Sequence, residues 1–184
     1  MKNQFLLGVL AVFFLNGLLA SATAQNVMVG GEAMYPQKNI IENAVNSKDH
    51  TTLVTAVKAA GLVETLSGKG PFTVFAPVND AFENLPEGTV ATLLKPENKE
   101  TLTKVLTYHV LAGKFDYESI KKAIKSAGGT LSLTTVSGDK LTAMMNGDKN
   151  IVLKDAKGNV ASISTYDVMQ SNGVIHVINQ VLLP

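Results

Sequence analysis

Two periodicities divide the chain. Up to about residue 128 the apolar positions recur at three and four, as in "NIIENAVNSKDHTTLVTAVKAAG", where Leu53, Val54, Val57 and Ala60 share one helical face and Gly61 stands ready to end it. Pro86 and Pro96 break the next stretch into short helices, and Leu102, Val105, Leu106 and His109 return to helical spacing. From Thr130 the period becomes two. "TLSLTTV", "KLTAMM", "NIVLKD", "NVASIS" and "GVIHVINQVLLP" read as strands, separated by the turns "SGD", "NGDK", "AKG" and "QSNG". Helices gathered in the first half and hairpins in the second predict an α+β domain, not a doubly wound sheet.

One strand interrupts the helical half. "GPFTVFAPVNDAF", Gly70 to Phe82, opens with a Gly-Pro breaker, runs through β-favouring residues and meets Pro77 before a short helical segment. Phe72 and Phe75 are expected to supply strand and core. Asn79 or Asp80 is expected to cap the helix that carries Phe82, with Asp80 and Glu83 as a D-x-x-E box. His176 alternates with apolar residues in the last strand, which predicts that it takes the less buried face.

The N-terminus reads as a targeting segment. Lys2 precedes "FLLGVLAVFFLNGLLA", and Ala22 and Ala24 prepare a cut before Gln25, so residues 1–24 are expected to be a signal peptide. No other stretch is apolar enough to span a bilayer, and no stable membrane insertion is expected after its removal. Residues 25–37, "QNVMVGGEAMYPQ", read as an extended arm, leaving 38–184 as one domain.

Charge and cysteine narrow the chemistry. All 16 basic residues are lysine, against 15 acidic ones, and loss of Lys2 balances the remainder. A balanced surface without arginine forks argues against nucleic-acid binding. With no cysteine, disulfides, thiol catalysis and thiolate metal sites are excluded. His50, His109 and His176 lack zinc-site spacing, and neither "LSGKG" nor "VSGDK" forms a serine elbow, so no cofactor, metal or catalytic residue is assigned.

Three motifs in order, "TVFAPVNDAF", "VLTYHVLAGKF" and "NGVIHVINQVLLP", resemble the fasciclin domain over about Ile40 to Pro184. The resemblance implies a wedge of two β-sheets flanked by short helices, used in adhesion, without general enzymatic activity. In animal matrix members a Tyr-His motif and a late Asp-Ile segment mark integrin contacts. The matching residues are Tyr108 and His109, and Asp167 with Val168 in place of Ile, in "TYDVMQSNG" between the last two strands. These are the candidate interaction residues, with a protein or polysaccharide at the cell exterior as partner. The resemblance also predicts that His109 ties the Tyr108 segment to the Asn79 and Asp80 turn. The competing readings are an envelope hydrolase using His109 with Asp80 or Asp167, and a small-ligand carrier, which needs an enclosed apolar cavity.

Overall fold

The computed structural model describes residues 26–184, and the expected signal peptide lies outside them. A short antiparallel hairpin comes first, β1 (Met28–Val29) and β2 (Glu32–Ala33). Over its described residues, 26–37, the expected arm is folded back on itself, and it buries Val29 and Met34 against the body. Helices α1 (Ile40–Ala44), α2 (Thr51–Ala60) and α3 (Val63–Ser67) follow. Asn39 and Glu42 form a capping box on α1, and Gly61, in the left-handed region at φ 76°, ends α2. Strand β3 (Phe72–Pro77) then leads to α4 (Asn79–Glu83), α5 (Thr89–Leu93), α6 (Lys99–Tyr108), strand β4 (Val110–Ala112) and α7 (Tyr117–Ser126). The chain closes with β5 (Thr130–Thr134), β6 (Lys140–Asn146), β7 (Asn150–Lys154), β8 (Val160–Gln170) and β9 (Gly173–Ile178).

The strands follow the order β4-β3-β9-β8-β7-β6-β5. Two sheets share β8: Val160–Ser162 pair with β7, and Ile163–Gln170 pair, through two register shifts, with β9. "TYDVMQSNG" is therefore mostly strand and not a connection, since β8 runs through Gln170 and the turn to β9 occupies only Ser171 and Asn172. Strand β3 lies parallel to β9 and antiparallel to β4. Gly173 starts β9 where an added Cβ would run into the Phe72 carbonyl, so only glycine allows the two strands this close.

Alternation along β3 separates two cores. Phe72, Val74 and Ala76 face the helical layer of α1, α2 and α3, whereas Phe75 faces α7 and the inner side of β5 to β8. A strand buried on both faces is what parallel pairing inside two layers requires. The same geometry corrects the expectation for His176. Its strand has no solvent face, and the ring is fully buried, stacked on Phe75 with centroids 5.8 Å apart.

Phe75 has no solvent exposure at all. Phe75→Ala is expected to cost about 3 to 5 kcal/mol through lost burial and the cavity left behind. Denaturant unfolding of the two proteins measures this, and an unchanged midpoint would contradict the placement of the ring.

Candidate functional site

The "TVFAPVNDAF" turn is built differently from its expected caps. Val78 is the N-cap residue of α4, with no side-chain cap bond, and no Asp80–Glu83 box forms. Asn79 instead reaches across to α2: its Oδ1 accepts from Thr52 N at 3.1 Å and its Nδ2 donates to Lys48 O at 2.9 Å. The side chain thus satisfies a first-turn amide of the neighbouring helix, which no local pattern encodes. Asp80 is exposed on the first turn of α4, where its charge faces the positive helix end, and Phe82 is half-buried against the core.

Tyr108 and His109 stand where α6 gives way to β4. Tyr108 is wholly buried; its hydroxyl donates to Lys140 O at 2.8 Å and accepts from Ala156 N at 3.2 Å. Burial pushes the phenol up from its ordinary range. His109 is 3% exposed, with Nδ1 at 2.8 Å from Val105 O and Nε2 accepting from Leu182 N at 2.9 Å. An imidazole nitrogen that accepts an N–H carries no proton, so the proton sits on Nδ1 and donates to the carbonyl. Neither Asn79 nor Asp80 is a partner of His109. The expected tie to that turn is replaced by one to the last residues of the chain.

Asp155, which the sequence offered only as the end of the "NIVLKD" strand, completes this cluster. It is 5% exposed. Its Oδ1 accepts from Lys157 N and Asn159 N, and its Oδ2 accepts from Leu183 N at 3.0 Å. Consecutive amides, Leu182 and Leu183, are thereby held by His109 and Asp155. A buried carboxylate needs such donors, and the β7–β8 turn supplies them.

Asp167 and Val168 lie on β8 and differ in environment. Val168 is 1% exposed and packs in the first core. Asp167 is half-buried at φ 55°, a conformation that Asp tolerates better than most residues. Its Oδ1 accepts from Tyr117 N at the start of α7 at 2.8 Å, beside the N-cap Asp116. Its backbone N–H donates to His176 Nδ1 at 3.3 Å, while His176 Nε2 lies 2.8 Å from Phe115 O, which gives His176 the Nε2–H tautomer. Of the four candidate contacts, Tyr108, His109 and Val168 are buried, and Asp167 alone reaches solvent. Among the described residues no three His, Asp or Glu side chains gather as metal ligands.

Residues 48–184 match the family model described as the fasciclin domain. The chain belongs to the fasciclin domain family. Protein sll1483 of Synechocystis is 44% identical over 162 residues, which cover 88% of this chain and 82% of that protein. The transforming growth factor-beta-induced protein ig-h3 of Sus scrofa is 36% identical over 149 residues, 81% of this chain but only 20% of that longer protein. Among solved structures, a FAS1 domain pair from the insect cell adhesion molecule Fasciclin I superposes with a TM-score of 0.55 at 20% identity, over 71% of this chain and 45% of that one. That likeness shows the fold, which carries the buried histidines described above in this fasciclin domain.

Burial pushes the His109 imidazole down to about 4 and holds His50 and His176 below their ordinary range. An unfolded histidine titrates near 6.5, so the unfolded chain takes up protons first as pH falls. The stabilisation is full above about pH 6.5 and is lost as pH falls through about 4, His109 alone contributing about 3 kcal/mol. His109→Gln, which keeps one donor and one acceptor, is expected to be less stable near neutrality but flatter with pH. Unfolding curves across that range check both slopes.

Proposed function

We propose that this fasciclin domain is a non-catalytic adhesion or interaction module, secreted, periplasmic or associated with the cell surface, recognising a protein or polysaccharide. The observation that carries the reading is the commitment of His109. A general base must reach a substrate proton, yet both ring nitrogens of His109 are bonded to backbone in the core. Neither Asp80 nor Asp167 is hydrogen-bonded to it, so the acid–base pair of a hydrolase is not assembled. The reading also draws support from the insect cell adhesion molecule that shares the fold and from the signal-peptide pattern of residues 1–24.

Asp167 is the contact we assign to that function. It is the solvent-reaching residue of the candidate set, held rigidly by its left-handed backbone and by the amide at the start of α7. Its carboxylate accepts that single hydrogen bond among the described residues, which leaves acceptor capacity for a partner donor.

Asp167→Asn separates contact from framework. Asn retains the Oδ1 acceptor and tolerates the positive φ, so the melting temperature is expected to hold, whereas Ala would remove the bond to Tyr117 N as well. A bond to a charged group contributes roughly 1.5 to 3 kcal/mol, so partner affinity should fall by about tenfold or more. Affinity capture from envelope and extracellular-polysaccharide extracts, followed by titration of the retained molecule, makes the comparison. Equal affinity of the two proteins for that molecule would remove Asp167 from the interface.

A further inference from the structure

We infer that the cavity beneath the N-terminal hairpin is a binding site for a small neutral apolar molecule carrying one acceptor oxygen, such as a ketone or ester, with His50 Nε2–H as its hydrogen-bond donor. The inference stands apart from the adhesive reading, because the cavity is on the helical side of the sheet and Asp167 is not in its lining, to which only its buried neighbour Val168 contributes.

The cavity has about 50 Å³ of free volume. Val29 and Met34 of the hairpin cover it, Val57 of α2 forms a wall, and Ala76 and Val177 form the floor from β3 and β9. Its roof, β1, β2 and α1, precedes residue 48 and so lies outside the matched fasciclin region. Asn43 of α1, wholly buried, anchors that roof. It accepts from Tyr35 N at 3.0 Å, and its Nδ2 donates to Tyr35 O and to Gln170 Oε1 of β8.

His50 supplies the polar handle. The side chain is 3% exposed, and its Nε2 has no hydrogen-bond partner. Its Nδ1 lies 2.8 Å from Ser47 Oγ, itself buried and bonded to nothing else among the described residues. A Ser47 hydroxyl donating to Nδ1 leaves one orphan, the Nε2–H. The reverse arrangement would strand both the hydroxyl proton and the Nε2 lone pair, so the first is favoured. The Ala76 carbonyl borders the ring and favours its charged form, yet it is not in hydrogen-bonding position.

The lining decides the ligand class. The Ser47 proton and both nitrogens of His109 are already committed, so the His50 Nε2–H is the free side-chain donor at this end of the cavity. An apolar body with a single acceptor satisfies the donor and fills the rest. Lys58, the one cation of the lining, is exposed, so a carboxylate held at the His50 end would lack a buried counter-charge, which disfavours it. At roughly 10 to 15 Å³ per water the cavity has room for about three to five waters, which restricts the ligand to a compact molecule of about six heavy atoms.

Cyclopentanone and cyclopentane test the assignment, being alike in shape and different in the acceptor. Titrated into the protein with 15N-labelled histidine and 13C-labelled methionine methyls, cyclopentanone is expected to shift the His50 Nε2–H and Met34 resonances saturably. Its affinity should fall by about fivefold or more in His50→Leu, as for loss of one buried hydrogen bond, while that of cyclopentane does not fall. If His50→Leu fails to fold, Ala44→Leu, which fills the cavity from α1, should abolish cyclopentanone binding. Equal ketone affinity in either variant, an Nδ1–H tautomer at His50, or no saturable shift up to the solubility limit would overturn the proposal.

Discussion

A buried imidazole has to be neutral and has to find a partner for each nitrogen, and the closure of this fold depends on how His109 meets that demand. The ring sits at the C-terminal end of α6. Through Nδ1–H it satisfies the Val105 carbonyl, one of the helix-end acceptors that would otherwise be orphaned, and through Nε2 it takes the Leu182 amide. Its own carbonyl accepts from Phe75 N, where β4 joins β3. One residue thereby links the last turn of α6, the central strand and the end of the chain, and Asp155 holds the next amide along, that of Leu183.

The same device recurs wherever distant segments meet. His176 joins the irregularity in β8 to the Phe115 segment, Asn43 joins the hairpin to β8, and Asn172 accepts from Ile40 N while donating to Leu66 O and Gly68 O. In a chain without cysteine these buried side-chain ties take the place of covalent staples. The ion pairs do not: Lys48–Glu32 and Lys104–Asp139 are solvent-exposed and contribute little. In the folded state both ring nitrogens of His109 and of His176 are committed in this way, which keeps those two imidazoles from proton transfer.

What was legible in the sequence was whatever periodicity and turn chemistry dictate locally. The change of period near Thr130, the Phe75 strand and the glycine stop of α2 correspond to β5 to β9, β3 and α2 as found. Side-chain partners that come from far along the chain were not legible. Alternation placed His176 outward because a single strand cannot report that its sheet is covered on both faces. Asn79 looked like the cap of its own helix, yet Thr52 and Lys48 lie on the preceding segments and compete for it. Tyr108 and His109 carried a family motif, while their burial depends on where the C-terminal residues pack. Asp155 looked like the polar end of an ordinary strand, although its second oxygen reaches the Leu183 amide.

The central claim is that His109 is a neutral structural tie and not an acid–base group. 15N chemical shifts of the histidine ring nitrogens, followed from neutral pH down through the acid range, test it most directly. The account predicts a protonated Nδ1 and an unprotonated Nε2 for His109 that persist through pH 6.5 and change only toward about pH 4. A His109 that titrates near 6.5, or that carries its proton on Nε2 at neutral pH, would contradict it.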